Sequence, residues 1–354
     1  MRKMQEYVVQ GKQVFVGLED SKRMWKLCVR SGGMIVQEVS MATQVAGLLA
    51  YLRGRYPACR IQVMYESGFQ GFWLHDALVA AGIGCVVTPA HTVSQEKVSR
   101  VKTDKTDARR LAKNLESGDY RVCHVPTVKE REDRQVSRAL QQIQRDIVRT
   151  KNRIRKFLDF HGLNADLPAG KWGDGRYLKL EEDLTLGRSL RVSLAALLTE
   201  LQCLRQVRAH LHAELKELAK QEGYRQRVAL KQSCPGIGWL TAIRLTLEWG
   251  ELDRFTDEKK LASFVGLAVA EHSSGETTRR GHITKQGSRQ VRGWLIQCAW
   301  RAVSRDPVLG EKYRAVWGRS GSKKKAIVAV ARKLVGRRRA IELTGLPYQL
   351  GTIR

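Results

Sequence analysis

The order of apolar runs in residues 13–125 restricts the fold of this chain more than any other feature of its sequence. Three strand-like runs come first, QVFVGLE, MWKLCVR and MIVQEVS, and Gly32-Gly33 between the last two indicates a hairpin. Amphipathic helix patterns and strand-like runs then alternate, and Gly82 and Pro89 end two of them. The order βββαβαβα predicts a mixed sheet flanked by helices.

The last helix pattern of this region, RVKTDKTDARRLAKNL at residues 100–115, carries two acids on its apolar side. Its apolar stripe follows the i, i+3, i+4, i+7 spacing of one helix face and comprises Ala108, Leu111, Ala112 and Leu115. Extended backwards at the same spacing, the stripe passes through Asp107 and Asp104. The opposite, solvated face carries Lys105, Arg109 and Lys113. Two inward carboxylates are unexpected in a chain with 63 Lys and Arg residues against 35 Asp and Glu.

Two more acids stand where strands of the predicted sheet end. In the first strand Glu19 shares a face with Gly17, whereas Asp20 points the other way. Glu66 ends the fourth strand, just before a glycine turn. Taken singly, Asp104 is explained as a helix cap and Glu66 as a surface charge. Taken together, four converging carboxylates would repel one another unless divalent cations bound them, and Mg²⁺ prefers such oxygen ligands.

The charge of the chain points to a polyanionic partner. Its formal net charge is +28 and its pI is about 10.2, so nucleic acid is the leading partner. An acidic membrane surface is the lesser alternative, because no helix sets this charge beside an aromatic-rich apolar face. The seven cysteines are dispersed, and no apolar run approaches the roughly 18 residues of a membrane span. These features predict a soluble protein of the reducing cytoplasm.

From about Glu130, two long helical patterns rich in Arg and Lys follow one another, joined by a loop with several glycines. They predict an antiparallel helical hairpin or a dimerising coiled coil, and two helices packed inside a globular α-domain explain them almost equally well. The segment PGIG at residues 235–238 lies between helical stretches. It resembles the turn of a helix-hairpin-helix, whose glycines let backbone N–H groups approach a phosphate.

Several short motifs occur in a family order. GLEDSK, YESG and KTDKTDARRLA resemble the GxDxSK, YEAxG and KTDxxDA motifs of the DEDD transposases, the recombinases of insertion sequences of the one-ten and eleven-eleven type. PGIG, SSG and RGHITKQGS continue the resemblance, which covers nearly the whole chain. The family is similar in its N-terminal domain to RuvC, a Holliday-junction resolvase. The resemblance therefore implies an α/β plus α fold: an RNase H-like mixed-sheet domain at 1–127, a helical coiled-coil spacer at 128–230 and a mainly α C-terminal domain at 231–354.

The resemblance also implies a metal site. Mg²⁺, with Mn²⁺ as a substitute and without any organic cofactor, would be bound by Glu19, Glu66, Asp104 and Asp107. The family usually has Asp where this chain has Glu19, whose side chain is one methylene longer. Asp20 could take its place only if a β-bulge reversed the alternation of the first strand.

A second part of the implied site lies in the C-terminal third. The catalytic serine of the family directly precedes a glycine and falls on Ser274, with Ser273 as the alternative; it would form a covalent phosphoserine link with DNA. Basic side chains that would neutralise nearby phosphates are Arg279, Arg280, Lys285, Arg289 and Arg292. Without the resemblance, these residues indicate only a flexible polar loop and a solvated basic surface. The chain also departs from the family in GLAVA, where a proline commonly follows GL.

Taken as a whole, the resemblance implies an RNA-guided DNA recombinase, a transposase that cuts and rejoins strands at the bacterial nucleoid. Its implied partners are target and donor DNA, a structured noncoding guide RNA and further copies of the chain, as a homodimer that assembles to a tetramer, with no membrane partner. Two other interpretations compete with it. One is a Mg²⁺-dependent, structure-selective nuclease of the resolvase class in which Ser274 plays no part. The other is a nucleic-acid-binding protein without catalysis.

Overall fold

The chain folds into two compact units, one that ends at Pro126 and one that begins at Thr127. Each unit has a hydrophobic core of its own. The structure, a computed structural model, describes residues 11–89, 104–163, 173–178, 180, 184–271 and 280–351.

The first unit is built on a five-stranded mixed sheet in the order β3-β2-β1-β4-β5. Its strands are β1 (Gln13–Asp20), β2 (Trp25–Ser31), β3 (Met34–Met41), β4 (Arg60–Glu66) and β5 (Gly84–Thr88). β1, β2 and β3 pair antiparallel, whereas β4 and β5 run parallel to β1. Gly32 and Gly33, with φ of 59° and 79°, form the turn between β2 and β3. The structure thus confirms the predicted mixed sheet and its hairpin.

Helices cover both faces of this sheet. They are α1 (Val45–Arg55), α2 (Trp73–Ala80) and α3 (Asp104–Ser117). α1 and α2 pack on the face that carries Val14, Val16 and Leu18 of β1. α3 packs on the other face, together with Phe15 of β1 and Met64 of β4. Alternation along β1 therefore assigns its odd-numbered residues to the side of α3.

Within the described residues, the second unit contains helices and one short pair of strands. Its helices are α4 (Val128–Phe160), α5 (Asp174–Leu178), α6 (Arg188–Lys220), α7 (Glu222–Ser233), α8 (Trp239–Trp249), α9 (Glu258–Phe264), α10 (Arg289–Arg305), α11 (Pro307–Ser320) and α12 (Lys323–Thr344). The strands β6 (Val269–Glu271) and β7 (Arg280–Ile283) pair antiparallel. Across the described ranges, no helix is both long and apolar enough to cross a membrane.

The two long helices predicted from the sequence, α4 and α6, pack against each other within one chain. They run antiparallel: Lys129, at the start of α4, donates a hydrogen bond of 3.2 Å to Gln221, just after α6. Further along α4, Thr150 donates one of 3.2 Å to Glu200 of α6. Leucines of both helices also enter the core formed by the later helices, so the hairpin is part of the second unit. A dimerising coiled coil and a boundary between a spacer and a C-terminal domain stay predictions.

The PGIG segment forms the turn between α7 and α8. Gly236 has a φ of 84°, and a Cβ at this position would lie 2.6 Å from the carbonyl oxygen of Cys298 on α10. Glycine therefore allows the turn to lie directly on α10. The PGIG segment lies between two helices, as predicted, and the contact of this helix-hairpin-helix-like turn with a phosphate stays a prediction.

Candidate active site

The end of β1 brings Glu19 to the face of the sheet that α3 covers. β1 pairs with β2 in continuous register up to Glu19 opposite Lys26 and Asp20 opposite Trp25. Because this described pairing contains no bulge, Glu19 lies on the same face as Gly17, and Asp20 lies on the other. The geometry therefore favours Glu19 over Asp20 as the acid that faces α3.

α3 lies directly on the backbone of β1. A Cβ on Gly17 would be 2.1 Å from the carbonyl oxygen of Ala108, so no side chain fits between strand and helix. Phe15, two residues earlier in β1, packs with the C-terminal half of α3. The first turn of the helix, which carries Asp104 and Asp107, consequently lies toward the end of β1 where Glu19 stands.

The four predicted acids lie within electrostatic reach of one another. Burial raises the pKa of Glu19, and the negative charges of Asp104, Asp107 and Glu66 raise it further. Oε2 of Glu19 is buried and has no hydrogen-bond partner among the described residues. A cation or a proton at that oxygen would stabilise the side chain, because a buried polar atom without a partner is unfavourable.

Basic side chains neutralise the other three acids. Nη2 of Arg110 lies 3.0 Å from Oε1 of Glu66 and 3.0 Å from Oδ1 of Asp107, and Lys26 lies 3.3 Å from Asp104. Asp107 is buried, as its place on the apolar stripe predicts, whereas Asp104 is exposed. In the part of the chain that the structure describes, no three Asp, Glu, His or Cys side chains are close enough to hold a metal ion as they stand. Arg110 instead joins two of the predicted ligands.

Arg110 is a site residue that the sequence-based prediction missed. It follows Asp107 by three positions, the spacing at which opposite charges on a helix pair, and that signal could have identified it. Lys105 and Arg109 are exposed, as predicted for the outer face, but both also bind Glu38 of β3. Arg109 donates two bonds of 2.5 and 2.8 Å, and Lys105 lies 3.2 Å away. A helix pattern alone carries no information on such a partner.

Asp20 has a different environment from Glu19. Burial raises the pKa of Asp20 to about 7; a backbone hydrogen bond opposes this rise, and the charges of Glu19 and Glu66 add to it. Its Oδ2 is buried and has no hydrogen-bond partner within the described ranges. Asp20 therefore keeps its proton to a higher pH than an ordinary aspartate does.

In the second unit, part of the predicted site lies outside the described residues, namely Ser273, Ser274 and Arg279. For Arg280 the structure describes the backbone, which pairs with Glu271 between β6 and β7. Lys285 and Arg289 are exposed. Their contact with DNA stays a prediction.

The predicted contact residue Arg292 makes hydrogen bonds inside the protein. Its Nη1 donates to the carbonyl oxygens of Gly287, at 3.0 Å, and Val265, at 3.4 Å. The same turn is tightly packed, since a Cβ on Gly287 would lie 2.1 Å from the carbonyl oxygen of Phe264. Lys285 adopts a φ of 56° there. Arg292 therefore positions the loop that carries Lys285.

Arg289 lines a groove of about 510 Å³ between α4 and α10. Apart from Gly293, the rest of its lining is polar or aromatic: Gln141, Arg145, Arg149, Gln290, Trp294 and Gln297. Arginines neutralise phosphates and glutamine amides bond to base edges, so this composition suits a nucleic acid. Arg145 and Arg149 were missed from the sequence because they lie on α4, far from Arg289 along the chain.

Two family models match this chain. One, of the DEDD IS110 type and described as a transposase, matches residues 16–162, which include all four predicted acids. The other, described as the transposase IS116/IS110/IS902 family, matches residues 229–314, which include Ser274. The chain is a transposase, an enzyme that cuts and rejoins DNA strands.

Relatives extend the match over most of the chain. A putative transposase, y4rJ, of Sinorhizobium fredii (strain NBRC 101917 / NGR234) is 30% identical over 368 residues, 91% of this chain and 90% of the relative. The transposase for insertion sequence element IS1111A of Coxiella burnetii is 27% identical over 311 residues, 85% and 81% of the two chains. A pilin gene-inverting protein of Moraxella bovis is 31% identical over 111 residues, 31% and 34%. The chain belongs to the IS116/IS110/IS902 transposase family.

Proposed function

We propose that this transposase is an RNA-guided, metal-dependent recombinase in which four acids bind the metal and Ser274 attacks DNA. The observation that carries the proposed metal dependence is the clustering of the acids: burial raises the pKa of Glu19, and the charges of Asp104, Asp107 and Glu66 raise it further. The strand order β3-β2-β1-β4-β5 supports an RNase H-like fold for the first unit. The same strand order explains the positions of the acids. β1 and β4 are neighbours, so the acids at their ends lie close together, and the other two acids lie in the first turn of α3.

The four carboxylates suit a hard divalent cation. They offer only oxygen donors, which Mg²⁺ and Mn²⁺ prefer, and the unpartnered Oε2 of Glu19 supports a cation at this place. The proposed ligands are Glu19, Glu66, Asp104 and Asp107. Mg²⁺ bound there would help to activate a nucleophile and to stabilise the leaving oxygen of a phosphodiester. Without the metal, Arg110 and Lys26 limit the repulsion among the acids.

Ser274 is the proposed nucleophile, with Ser273 as the alternative. Its hydroxyl attacks the phosphorus of a DNA phosphodiester, and the Oγ–P bond forms as the bond from phosphorus to the leaving sugar oxygen breaks. The serine loses a proton and the leaving sugar hydroxyl gains one, so the step needs neither water nor ATP. Attack of another DNA hydroxyl on the phosphoserine then rejoins the strand and releases the enzyme.

The relatives support rejoining rather than simple cutting. One of them is named a pilin gene-inverting protein, and the inversion of a DNA segment requires both the cutting and the rejoining of strands. The formal charge of +28 supports contacts with both duplex DNA and a structured guide RNA. Lys285, Arg289 and Arg292, together with Arg279 and Arg280, are the proposed contacts near the cut. The proposed assembly is a homodimer that associates to a tetramer.

A covalent-trapping experiment tests the proposed chemistry. The purified full chain is incubated with Mg²⁺, labelled DNA that carries the ends of its element and RNA transcribed from the noncoding sequence beside its gene. We expect a protein–DNA adduct that survives denaturation, requires both Mg²⁺ and the RNA, and yields a phosphoserine peptide containing Ser274. Ser274→Ala should abolish the adduct, whereas the matched variant Ser273→Ala should retain it.

Other outcomes would decide between the alternatives. Loss of the adduct in Ser273→Ala alone would assign the nucleophile to the neighbouring serine. DNA cleavage by Ser274→Ala at the wild-type rate, without any adduct, would establish a hydrolytic nuclease. DNA and RNA binding by the wild-type protein with no product at any Mg²⁺ or Mn²⁺ concentration would support a protein without catalysis.

A further inference from the structure

We propose that a basic cavity beside α12 in the second unit binds an unpaired segment of a nucleic-acid strand. The cavity measures about 760 Å³, and its walls come from the β6–β7 pair, α11 and α12. Six cations line it: Lys285, Lys312, Lys324, Lys325, Arg332 and Lys333. The inference rests on the proposed function and deepens it, because it names the state of the nucleic-acid strand that this cavity binds.

One face of α12 lines the cavity. The pairs 324–325, 328–329 and 332–333 recur every four residues and fall on that face, while Ile327, Val330 and Leu334 are buried behind it. The first and third pairs are basic, and the middle pair is apolar. At 1.5 Å per residue, the two basic pairs lie about 12 Å apart along the helix. A ligand that spans them has two anionic groups with an apolar group between them.

The positive charge of the cavity is not neutralised within the described residues. None of its six cations has an ion-pair partner among the described residues. Glu258 is the acidic residue of the described lining, and its single charge opposes six positive charges. A concave surface of one sign concentrates a polyanion. Five of the six cations are lysines, whose ammonium groups act as point charges and suit phosphates along a backbone rather than one base sequence.

An apolar floor distinguishes this cavity from a surface that would bind a ligand through charge alone. It is formed by Leu267, Val269, Ile283, Val328 and Ala329. Val269 is 38% exposed, so part of the floor meets solvent in the free protein. The volume lies in the range of about 300–1,000 Å³ typical of pockets that enclose small molecules. A phosphate alone would leave the floor uncovered, whereas the sugar and base of a nucleotide would bury it.

The floor favours an unpaired strand over a duplex. In a duplex the bases are stacked and paired inside the helix, and the backbone is what a basic surface meets. An unpaired strand can turn a base onto the floor while its flanking phosphates meet the basic pairs of α12. Such binding is insensitive to sequence and strongly dependent on salt.

A binding experiment with the full chain separates the two parts of the cavity. The probes are a fluorescent 12-nucleotide oligo-dT, the corresponding oligo-U and a 12-base-pair duplex, each titrated at several salt concentrations. Lys324→Gln/Lys325→Gln should weaken binding of the unpaired strands about tenfold and make the plot of log K against log salt less steep by about 1.4, since each phosphate contact contributes about 0.7. The control Lys216→Gln/Arg225→Gln removes two exposed charges of the same unit outside the cavity and should change binding less than twofold.

A separate variant tests the apolar floor. Val328→Ser should weaken binding of the unpaired strands several-fold at every salt concentration without changing the slope, and a thermal unfolding curve checks that the helix core is retained.

The two unpaired probes distinguish RNA from DNA. If the variants lose affinity for oligo-U alone, the cavity binds RNA, and if they lose affinity for oligo-dT alone, it binds DNA; both results agree with the proposal. Equal losses for the duplex and the unpaired strands would overturn it, as would unchanged affinity in the double lysine variant. If either of these two contrary results is found while the serine adduct still forms normally, the cavity proposal is rejected and the proposed recombinase is not affected.

Discussion

Gly17 of β1 and Ala108 of α3 meet backbone to backbone, and a Cβ on Gly17 would lie 2.1 Å from the carbonyl oxygen of Ala108. The strand and the helix therefore pack with no room for a side chain between them. This contact sets the distance between the sheet and the first turn of α3, and hence the position of Asp104 and Asp107 relative to the end of β1. A residue without a side chain thus determines where acids of the proposed metal site stand.

Gly17→Ala should damage both stability and catalysis. A methyl group would meet the main-chain oxygen of Ala108, the main-chain nitrogen of Ala112 and the Cβ of Leu111. None of these atoms can rotate away, so the helix must shift. We expect the free energy of unfolding to fall by about 1–3 kcal/mol and strand cleavage to fall roughly 100-fold, the effect of a displacement of about 1 Å in a catalytic group. Urea denaturation and single-turnover cleavage measure the two effects.

Gly47→Ala is the matched control, because Gly47 is exposed in α1 and nothing lies within 4 Å of its added Cβ. It should leave cleavage unchanged and keep or raise stability. A Gly17→Ala protein as stable and active as this control would show that the contact has no role in placing the acids.

The sheet of the first unit was predictable because local signals specify it. Its strands are short apolar runs, and glycines that tolerate positive φ, such as Gly32 and Gly33, mark the hairpin. The face of Glu19 was predictable as well, since alternation along a strand allows only two choices. These features depend only on residues that are close together in the sequence, so one sequence is enough to predict them.

The ion pairs that the acids form with Arg110 were not predictable in the same way. Whether Arg110 reaches Glu66 depends on how closely α3 approaches β4, and this distance follows from the packing at Gly17 rather than from any helix pattern. The same holds for the groove at Arg289, whose other wall comes from α4. The distance between elements that are remote in the chain is tertiary information.

Asp20 should make the stability of the metal-free first unit dependent on pH. Its pKa is about 7 in the folded protein against an ordinary value of 3.8. Between about pH 4 and pH 7 the folded state keeps a proton that the unfolded state has lost, so stability falls as the pH rises through this window. Asp20→Asn removes this loss and should stabilise the protein at pH 8 by on the order of 2 kcal/mol.

Urea denaturation at pH 5 and pH 8, without divalent metal, measures the effect of Asp20→Asn. Asp119→Asn, at an exposed position of the same unit, is the control and should retain the pH dependence of the wild type. Identical stability differences between the two pH values in all three proteins would contradict the assignment to Asp20.

Glu19 should be required for stabilisation by Mg²⁺. A ligand at 100 times its Kd stabilises the folded state by about 2.7 kcal/mol, and we expect Glu19→Gln to lose most of this gain. In the absence of metal the same variant should be more stable than the wild type, because burial and three neighbouring acids disfavour the charge of Glu19. Melting curves recorded over a Mg²⁺ titration report both effects without any measurement of activity.

Asp20→Asn should keep the response to Mg²⁺, since Asp20 lies on the other face of β1. The reverse pattern, a normal response in Glu19→Gln and none in Asp20→Asn, would make Asp20 the ligand.

Arg110→Gln should separate the stability of the site from its affinity for metal. Nη2 of Arg110 joins Glu66 and Asp107, so its loss should destabilise the metal-free protein by about 1–3 kcal/mol. The carboxylates of Glu66 and Asp107 should then bind Mg²⁺ at a lower concentration, because the guanidinium of Arg110 no longer competes for them. The midpoint of stabilisation in a Mg²⁺ titration measures this change.

Arg109→Gln is the control for Arg110→Gln, since Arg109 lies on the adjacent position and binds Glu38 instead. It should lower stability without moving the Mg²⁺ midpoint. If both variants share the wild-type midpoint, Arg110 does not compete with the metal.

Gly293 offers a test of the groove that Arg289 lines. It is exposed inside α10, and nothing lies within 4 Å of the position of its missing Cβ. Glycine inside a helix costs about 0.5–1 kcal/mol relative to alanine, although alanine would fit here in the free protein. A close approach of a ligand backbone to α10 would explain why this position has no side chain.

Gly293→Ala should therefore raise stability and weaken binding at the same time. We expect the free energy of unfolding to rise by about 0.5–1 kcal/mol and the affinity for duplex DNA to fall, whereas Arg289→Gln should make the salt dependence less steep by about 0.9, the share of one phosphate contact. Gly318→Ala is the control, because Gly318 is exposed in α11 and also has nothing within 4 Å. It should give the same gain in stability with unchanged binding. DNA affinity that is equal in the two alanine variants would remove this groove from the DNA-binding surface, since a methyl group there would then meet no ligand.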